Sequence, residues 1–284
     1  MIIDAHQHVW DLDRADYPWL GPEDPAWNRT FTQAEIEPVL DRLGITGTVL
    51  VEAADNDEDT ELMLDVAAAH PRVAGIVVHL PLEDPARSAT RLADLRARER
   101  RVVGVRTLIH QQADPDWILR DDVAESLAMI ADAGLTFDLV AVLPRHLEHV
   151  TTLAERHPGL RVIIDHLGKP PIGPHPGAWA DHAAWATALH RAAEAPTAHA
   201  KISGLYPGAA PDSWNLEQMR AVVDVALDAF GPARAMYGGD WPISVTAGGY
   251  ERVFAALHEI ITGYGPSVAD AVFAGTARTC YRLP

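Results

Sequence analysis

The chain holds one cysteine, Cys280, four residues from its end, so no disulfide forms within it. That usage fits a reducing compartment, and Cys280 reads as structural rather than catalytic. Basic residues are also scarce: 23 Lys and Arg stand against 40 Asp and Glu, a formal net charge of −17. A surface of that sign repels phosphate backbones and anionic lipid, so neither nucleic acid nor membrane is an expected partner. No apolar run approaches the roughly 18 residues that a membrane span needs. The N-terminus lacks the basic stretch and apolar core of a secretory signal, and cytoplasmic residence is the expectation. Low-complexity tracts and linkers are absent too. So is a Gly-rich phosphate loop after the first apolar run, which speaks against a dinucleotide-binding open sheet.

What is present is a rhythm. Apolar residues make up 48% of 284, enough for a large buried core. Short β-branched runs fall at 1–6, 47–53, 73–80, 102–109, 135–142, 160–166, 199–205 and 233–240, the last placed mainly by position. Stretches with helical periodicity lie between them at 60–70, 88–100, 121–134, 144–159, 183–195 and 216–231. Strand and helix alternating in this way imply right-handed crossovers and a parallel sheet. Eight units in one uninterrupted domain favour a (β/α)8 TIM barrel over the alternative, an open doubly wound sheet. The Pro-, Asp- and Trp-rich segment 11–32 reads as a loop over the barrel mouth.

In such a barrel the chemistry sits at the C-terminal ends of the strands. Nearly every run here ends in an ionisable group: His6 and His8, then Glu52, His79, Arg106 with His110 beyond, Asp138, Asp165 and His166, Lys201 with Ser203, and Asp240. An isolated His-x-His is more often a pair of surface histidines at the start of a loop. Asp138, Asp165 and Lys201 serve equally well as a structural network, and His79 and His110 as packing residues. His6, His8, His166 and Asp240 are harder to dismiss. They bring three imidazoles and a carboxylate from three strands, a set that suits Zn²⁺ or another first-row divalent ion. Trp10, Tyr17, Trp19 and Trp241 lie just past strand ends, placed to stack on a substrate ring or to pack a loop.

The segments DAHQHVWDLDRADYPWL, GVRTLIHQQADPDWILR, VIIDHLGKPPI, KISGL and MYGGDWPIS, in this order, resemble the amidohydrolase-2 type of the amidohydrolase superfamily. The likeness is greatest to its sugar-lactone hydrolases, such as the L-fuconolactonases and L-rhamnonolactonases. It runs over almost the whole chain. It implies a metal-dependent type of hydrolase on a TIM barrel, opening a lactone by water attack, with His6, His8, His166 and Asp240 catalytic and Asp240 the general base. It also implies that Arg106 holds a substrate carboxylate or carbonyl, with Lys201 nearby in the substrate shell. For the cofactor it implies one divalent ion, Zn first, on His6, His8, His166 and Asp240, or else direct polarisation of the carbonyl by the histidines without metal. Decarboxylation of an unsaturated or aromatic acid, other amide or ester hydrolysis, and a catalytically inert binding barrel are the competing readings. A small molecule is the expected partner, with an oligomer of the barrel left open. Thr107, Gln112 and Gly239 depart from the pattern of the sugar lactonases at positions expected around the substrate, and they put the particular sugar in doubt.

Overall fold

A computed structural model of the chain describes residues 1–173, 178–206 and 211–284. Eight parallel strands pair in sequence order. They are β1 (Ile2–Gln7), β2 (Ile45–Val51), β3 (Val73–His79), β4 (Val102–Thr107), β5 (Thr136–Leu139), β6 (Arg161–Ile164), β7 (His199–Ile202) and β8 (Ala235–Tyr237). Helices follow the strands: α1 (Gln33–Leu43), α2 (Asp57–Ala69), α3 (Pro85–Arg98), α4 (Asp121–Asp132), α5 (Pro144–Arg156), α6 (His182–Ala193), α7 (Leu216–Phe230) and α8 (Tyr250–Thr262), with short α9 (Pro266–Asp270) and α10 (Thr276–Tyr281) at the end. The expected TIM barrel is the fold. No helix of the described residues is long and apolar enough to cross a membrane.

Local chemistry sets the helix starts. The side chains of Asn56, Asp84, Asp181 and Asn215 each accept a hydrogen bond from the third backbone N–H of the helix they precede. Each relieves one of the donors that a helix start leaves unpaired. Helices α1 and α8 lie outside the six stretches expected from periodicity; α1 carries Pro38 inside it, which interrupts a helical pattern. Six of the eight expected strands run two or more residues past the observed C-terminal ends. The excess includes apolar residues such as Leu108, Val140 and Val142 and the polar groups His166 and Asp240, which line the mouth of the barrel instead of extending the sheet.

Alternation along the strands explains why charge collects inside. Ile3, Ala5, Val49, Val51, Val77, Ile163 and Met236 form a small apolar cluster with Ala277, Cys280, Tyr281 and Leu283 of the C-terminal segment. That segment plugs the bottom of the barrel and accounts for Cys280. Two residues beyond members of this layer, on the same strand face, come His79 after Val77 and Asp165 after Ile163. Strand register aligns His79 with Arg106 and Arg106 with Asp138. A larger apolar cluster fills the space between sheet and helices.

The seam between first and last strand is stitched by the motif backbones. Asp240 N donates to His6 O at 2.8 Å and His8 N to Trp241 O at 2.7 Å. The buried Asp4 carboxylate accepts from His6 N (2.9 Å), Gly239 N (2.7 Å) and the Tyr250 hydroxyl (2.7 Å). Barrel closure and alignment of His6 with Asp240 are therefore the same set of bonds. A Cβ at Gly239 would lie 2.2 Å from the Tyr250 ring, so Tyr250 occupies the space a serine there would use. The Tyr250 hydroxyl brings its own donor to Asp4.

Candidate active site

At the C-terminal mouth lies a cavity of about 190 Å³, lined by His8, Arg106, His166, Lys169 and Asp240 with Trp10, Trp19, Leu108, Val140, Val142 and Ile243 among its walls. It is smaller than the roughly 300 Å³ at the lower end for drug-sized ligands, which suits a single ring. Larger hollows lie on the outside, the largest of them between α5 and α6, and none of those includes the clustered histidines.

Three ligand atoms meet beside this cavity. His6 Nε2 and His8 Nε2 are 3.0 Å apart, and Asp240 Oδ1 lies 3.7 and 3.6 Å from them. The corners of that triangle share a centre about 2 Å from each, the length of Zn–N and Zn–O bonds. His8 is oriented for the task. Its Nδ1 is 2.7 Å from the Val51 carbonyl, which only accepts, so Nδ1 carries the proton and Nε2 turns a lone pair inward. His6 Nδ1 meets a donor, Lys201 Nζ at 3.0 Å, and an acceptor, Asp165 Oδ1 at 3.3 Å. With Nδ1–H toward Asp165, His6 Nε2 offers a lone pair as a ligand. With Nδ1 accepting from Lys201, Nε2–H donates to His8 and no ion is needed. Burial, then the Lys201 charge, hold the His6 pKa well below the usual value, so the ring is neutral. The donor set thus fits a divalent ion on His6, His8 and Asp240. Against this, the Arg106 guanidinium lies 3.4 Å from His6 Nε2 and opposes a second cation.

His166 stands outside the triangle. Its Nδ1 is 2.9 Å from Ser203 Oγ and 4.0 Å from Asp240 Oδ2, and it groups with His6 and Asp165 instead. It begins a left-handed stretch: φ is +55° at His166, +53° at Leu167, +68° at Gly168 and +54° at Lys169. Such a conformation costs about 1–2 kcal/mol per non-glycine residue. Two indoles hold it, Trp179 Nε1 donating to Gly168 O at 3.0 Å and Trp185 Nε1 to Leu167 O at 2.7 Å. Asp240 is also left-handed, with φ +51°. Burial pushes its carboxyl up, but the His166, His8 and Lys169 charges together bring it down to about 2. It is therefore ionised at neutral pH. The Tyr206 hydroxyl donates to its Oδ2 at 3.1 Å.

Below the mouth, charge is paired. Arg106 Nε donates to Glu52 Oε1 at 2.9 Å, Nη1 to Asp165 Oδ2 at 3.0 Å, and Nη2 to the Glu52 carbonyl. Lys201 Nζ lies 2.5 Å from Asp138 Oδ2 and 3.0 Å from Asp165 Oδ1, all fully buried. The positions left open by the sequence are thereby placed: Glu52 and Asp138 are counter-ions, His79 is 3.4 Å from Asp55, and His110 sits on the cavity rim.

Several expected substrate contacts lie elsewhere. Lys201 is sealed beneath the mouth. Tyr17 is buried and its hydroxyl donates to Asp59 at 2.9 Å, pinning the 11–32 loop to α2. Trp241 is buried edge-on against Phe31 in the barrel seam. None of the three lines the cavity. Trp10 and Trp19 do, while Arg106 reaches it with its donors mostly engaged. Thr107 and Gln112 border a separate acidic hollow with Asp55 and Glu58, and Gln111 is the glutamine at the cavity. Two further residues at the site, Lys169 and Tyr206, are not among those the sequence singles out: Lys169 lies within the DHLGKP motif, and nothing in the sequence marks Tyr206.

Gly204, in the strand-end segment KISGL, permits the approach of two of these groups. Its φ is +56°, and a Cβ there would lie 2.5 Å from His166 Nδ1 and 2.7 Å from Asp240 Oδ2. Gly204→Ala is expected to lower kcat/KM by about 100-fold, the scale of a 1 Å misplacement. Steady-state kinetics beside a thermal melt checks this; near-normal turnover in a folded variant would show that the two groups tolerate displacement.

A TIM barrel with this constellation at its mouth is an amidohydrolase-family enzyme, and the chain belongs to that family, whose model, described as Amidohydrolase, matches residues 3–283. Among individual proteins it is similar to an L-fucono-1,5-lactonase of Burkholderia ambifaria, 37% identical over 287 residues that cover 99% of this chain and 95% of that one. A second L-fucono-1,5-lactonase, of Burkholderia multivorans, is 32% identical, with 99% and 96% covered. A crystal structure of an amidohydrolase from Burkholderia multivorans with bound Zn superposes with a TM-score of 0.88 at 28% identity, covering all of both chains.

Proposed function

We propose that the protein hydrolyses a sugar-acid lactone, with L-fucono-1,5-lactone or a close stereoisomer as the first candidate. The observation that carries the reading is the ionised, enclosed Asp240 beside the His6, His8 and His166 imidazoles in a cavity sized for one ring. Two L-fucono-1,5-lactonase relatives support it.

In this reading water attacks the lactone carbonyl carbon while Asp240 accepts one of its protons. The carbonyl oxygen gains negative charge and is stabilised by the Nε2–H of His166, the tautomer set when its Nδ1 accepts from Ser203 Oγ. A positioned donor of this kind is worth about 3–4 kcal/mol in the transition state. The ring C–O bond then breaks, and the proton on Asp240 passes to the departing oxygen, leaving a carboxylic acid and a free hydroxyl. A carboxyl with a pKa of about 2 keeps that proton only briefly, which favours its return to the far more basic alkoxide. The Tyr206 hydroxyl positions Oδ2 and leaves Oδ1 toward the histidines. A divalent ion on His6, His8 and Asp240 would add Lewis-acid polarisation and a more acidic water.

A panel of sugar lactones and of unsaturated and aromatic carboxylic acids, offered to protein of measured metal content, tests this. Proton release on a lactone is expected, with no CO2 from the acids. CO2 release without lactone opening would replace the reading by decarboxylation. Full activity in metal-free protein would assign the polarisation to the histidines, and loss on chelation with recovery on Zn²⁺ would assign it to the ion.

A further inference from the structure

We propose that Lys169 is the anion anchor of the cavity, holding the carboxylate of the open-chain acid. The name of that acid rests on the lactonase reading above; the existence of the anchor does not.

The chain has two lysines, Lys169 and Lys201, among its 23 basic residues. Lys201 is fully buried and paired with Asp138 and Asp165. Arg106, the other cation at the mouth, donates to Glu52 and Asp165. Lys169 differs from both. It is half-buried and lines the cavity. Among the described residues no carboxylate lies within ion-pair distance of its ammonium, and no hydrogen bond of that group is formed. Burial lowers its pKa, with the more distant Asp240 and Asp165 charges opposing. An ammonium in that position gains most from an anionic oxygen brought by a ligand.

The backbone is built to put it there. The left-handed turn from His166 to Lys169 closes with Lys169 N donating to His166 O at 2.9 Å. In a turn this tight, residues three apart fall on the same side, so His166 and Lys169 face the cavity together. The strain of that turn is sustained by the Trp179 and Trp185 indoles, and strain sustained at a site goes with a task for the side chains it aims. With a net charge of −17, the molecule as a whole repels a carboxylate, so retention of one needs a local cation.

Two lysines make the test direct. Protein labelled at the lysine Cε carbons gives two signals, assigned with Lys169→Met. Gluconate, a generic aldonate, is titrated into wild type, Lys169→Met and Lys169→Arg, with melts recorded for each. The Lys169 signal is expected to move saturably while that of Lys201 stays. Lys169→Met is expected to bind gluconate about tenfold or more weakly, and Lys169→Arg to recover most of the affinity. Once a lactone is turned over, its open-chain acid should inhibit Lys169→Met about tenfold less than wild type. Equal affinity in folded Lys169→Met, a bound aldonate that leaves the Lys169 signal unmoved, or no binding to wild type overturns the anchor. Absence of lactone turnover by wild type overturns the lactonase reading alone, and the labelled titration still decides the anchor.

Discussion

Replacing Asp240 by Asn is expected to lower kcat by about 10³-fold, within the 10²–10⁴ range for loss of a positioned general base. Asn is the informative substitution for three reasons. It is isosteric. It accepts a left-handed backbone as readily as Asp, so the φ of +51° adds no new strain. It also preserves the bond from its backbone N–H to His6 O and presents an oxygen to the Tyr206 hydroxyl. What it removes is the charge and the ability to take a proton. The melting transition should stay close to that of wild type, because the seam between β1 and β8 is intact. Turnover within threefold of wild type in a folded Asp240→Asn protein would remove Asp240 from the chemistry and require another base at the mouth.

Much of this arrangement was legible in the residues. A series of β-branched runs, nearly all ending in an ionisable side chain, with an eighth run placed by position, points to a barrel with a polar mouth, and alternation along each strand turns those ends inward. Of the expected set of four, His6, His8 and Asp240 lie together because their own backbones close the barrel, while His166 groups with His6 and Asp165. Pairing partners were not legible. Arg106 resembles a substrate ligand in sequence, yet Glu52 and Asp165 arrive on its donors from two other strands. Lys201 and Asp138 read equally as site or scaffold, because which of two inward-facing charges finds the other depends on strand register. The aromatic residues divided for a similar reason. Trp10 and Trp19 face the cavity, whereas Tyr17 and Trp241 hold a loop and a seam, a difference set by how segment 11–32 folds back. Lys169 was hidden by its backbone, since a left-handed run of four residues is not coded by any periodicity.

The buried pair beneath the mouth carries the largest expected stability effect. Lys201→Met keeps the length and apolar body of the side chain and removes its charge. Asp138 Oδ2 then retains only the Tyr281 hydroxyl at 2.6 Å, and Asp165 retains Arg106. Breaking one side of a buried pair typically costs about 3–5 kcal/mol, because the remaining charge is left uncompensated. Burial already pushes the Asp138 carboxyl above its ordinary range, with Lys201 opposing, so loss of Lys201 raises it further. A carboxyl whose pKa is higher folded than unfolded binds its proton more tightly in the native state. The variant's stability is therefore fully present below the unfolded-state pKa of that carboxyl and is lost as pH rises from there through the folded-state value. Urea unfolding of Lys201→Met should show a deficit that is larger at pH 8 than at pH 5. Adding Asp138→Leu should restore a substantial part of the loss and flatten its pH dependence, since an apolar pair of similar volume often matches a buried ion pair. A deficit below 1 kcal/mol, or one equal at both pH values, would mean that water enters the barrel and solvates these groups. The closed lower layer of Tyr281 and its apolar neighbours would then be a poorer seal than its packing indicates.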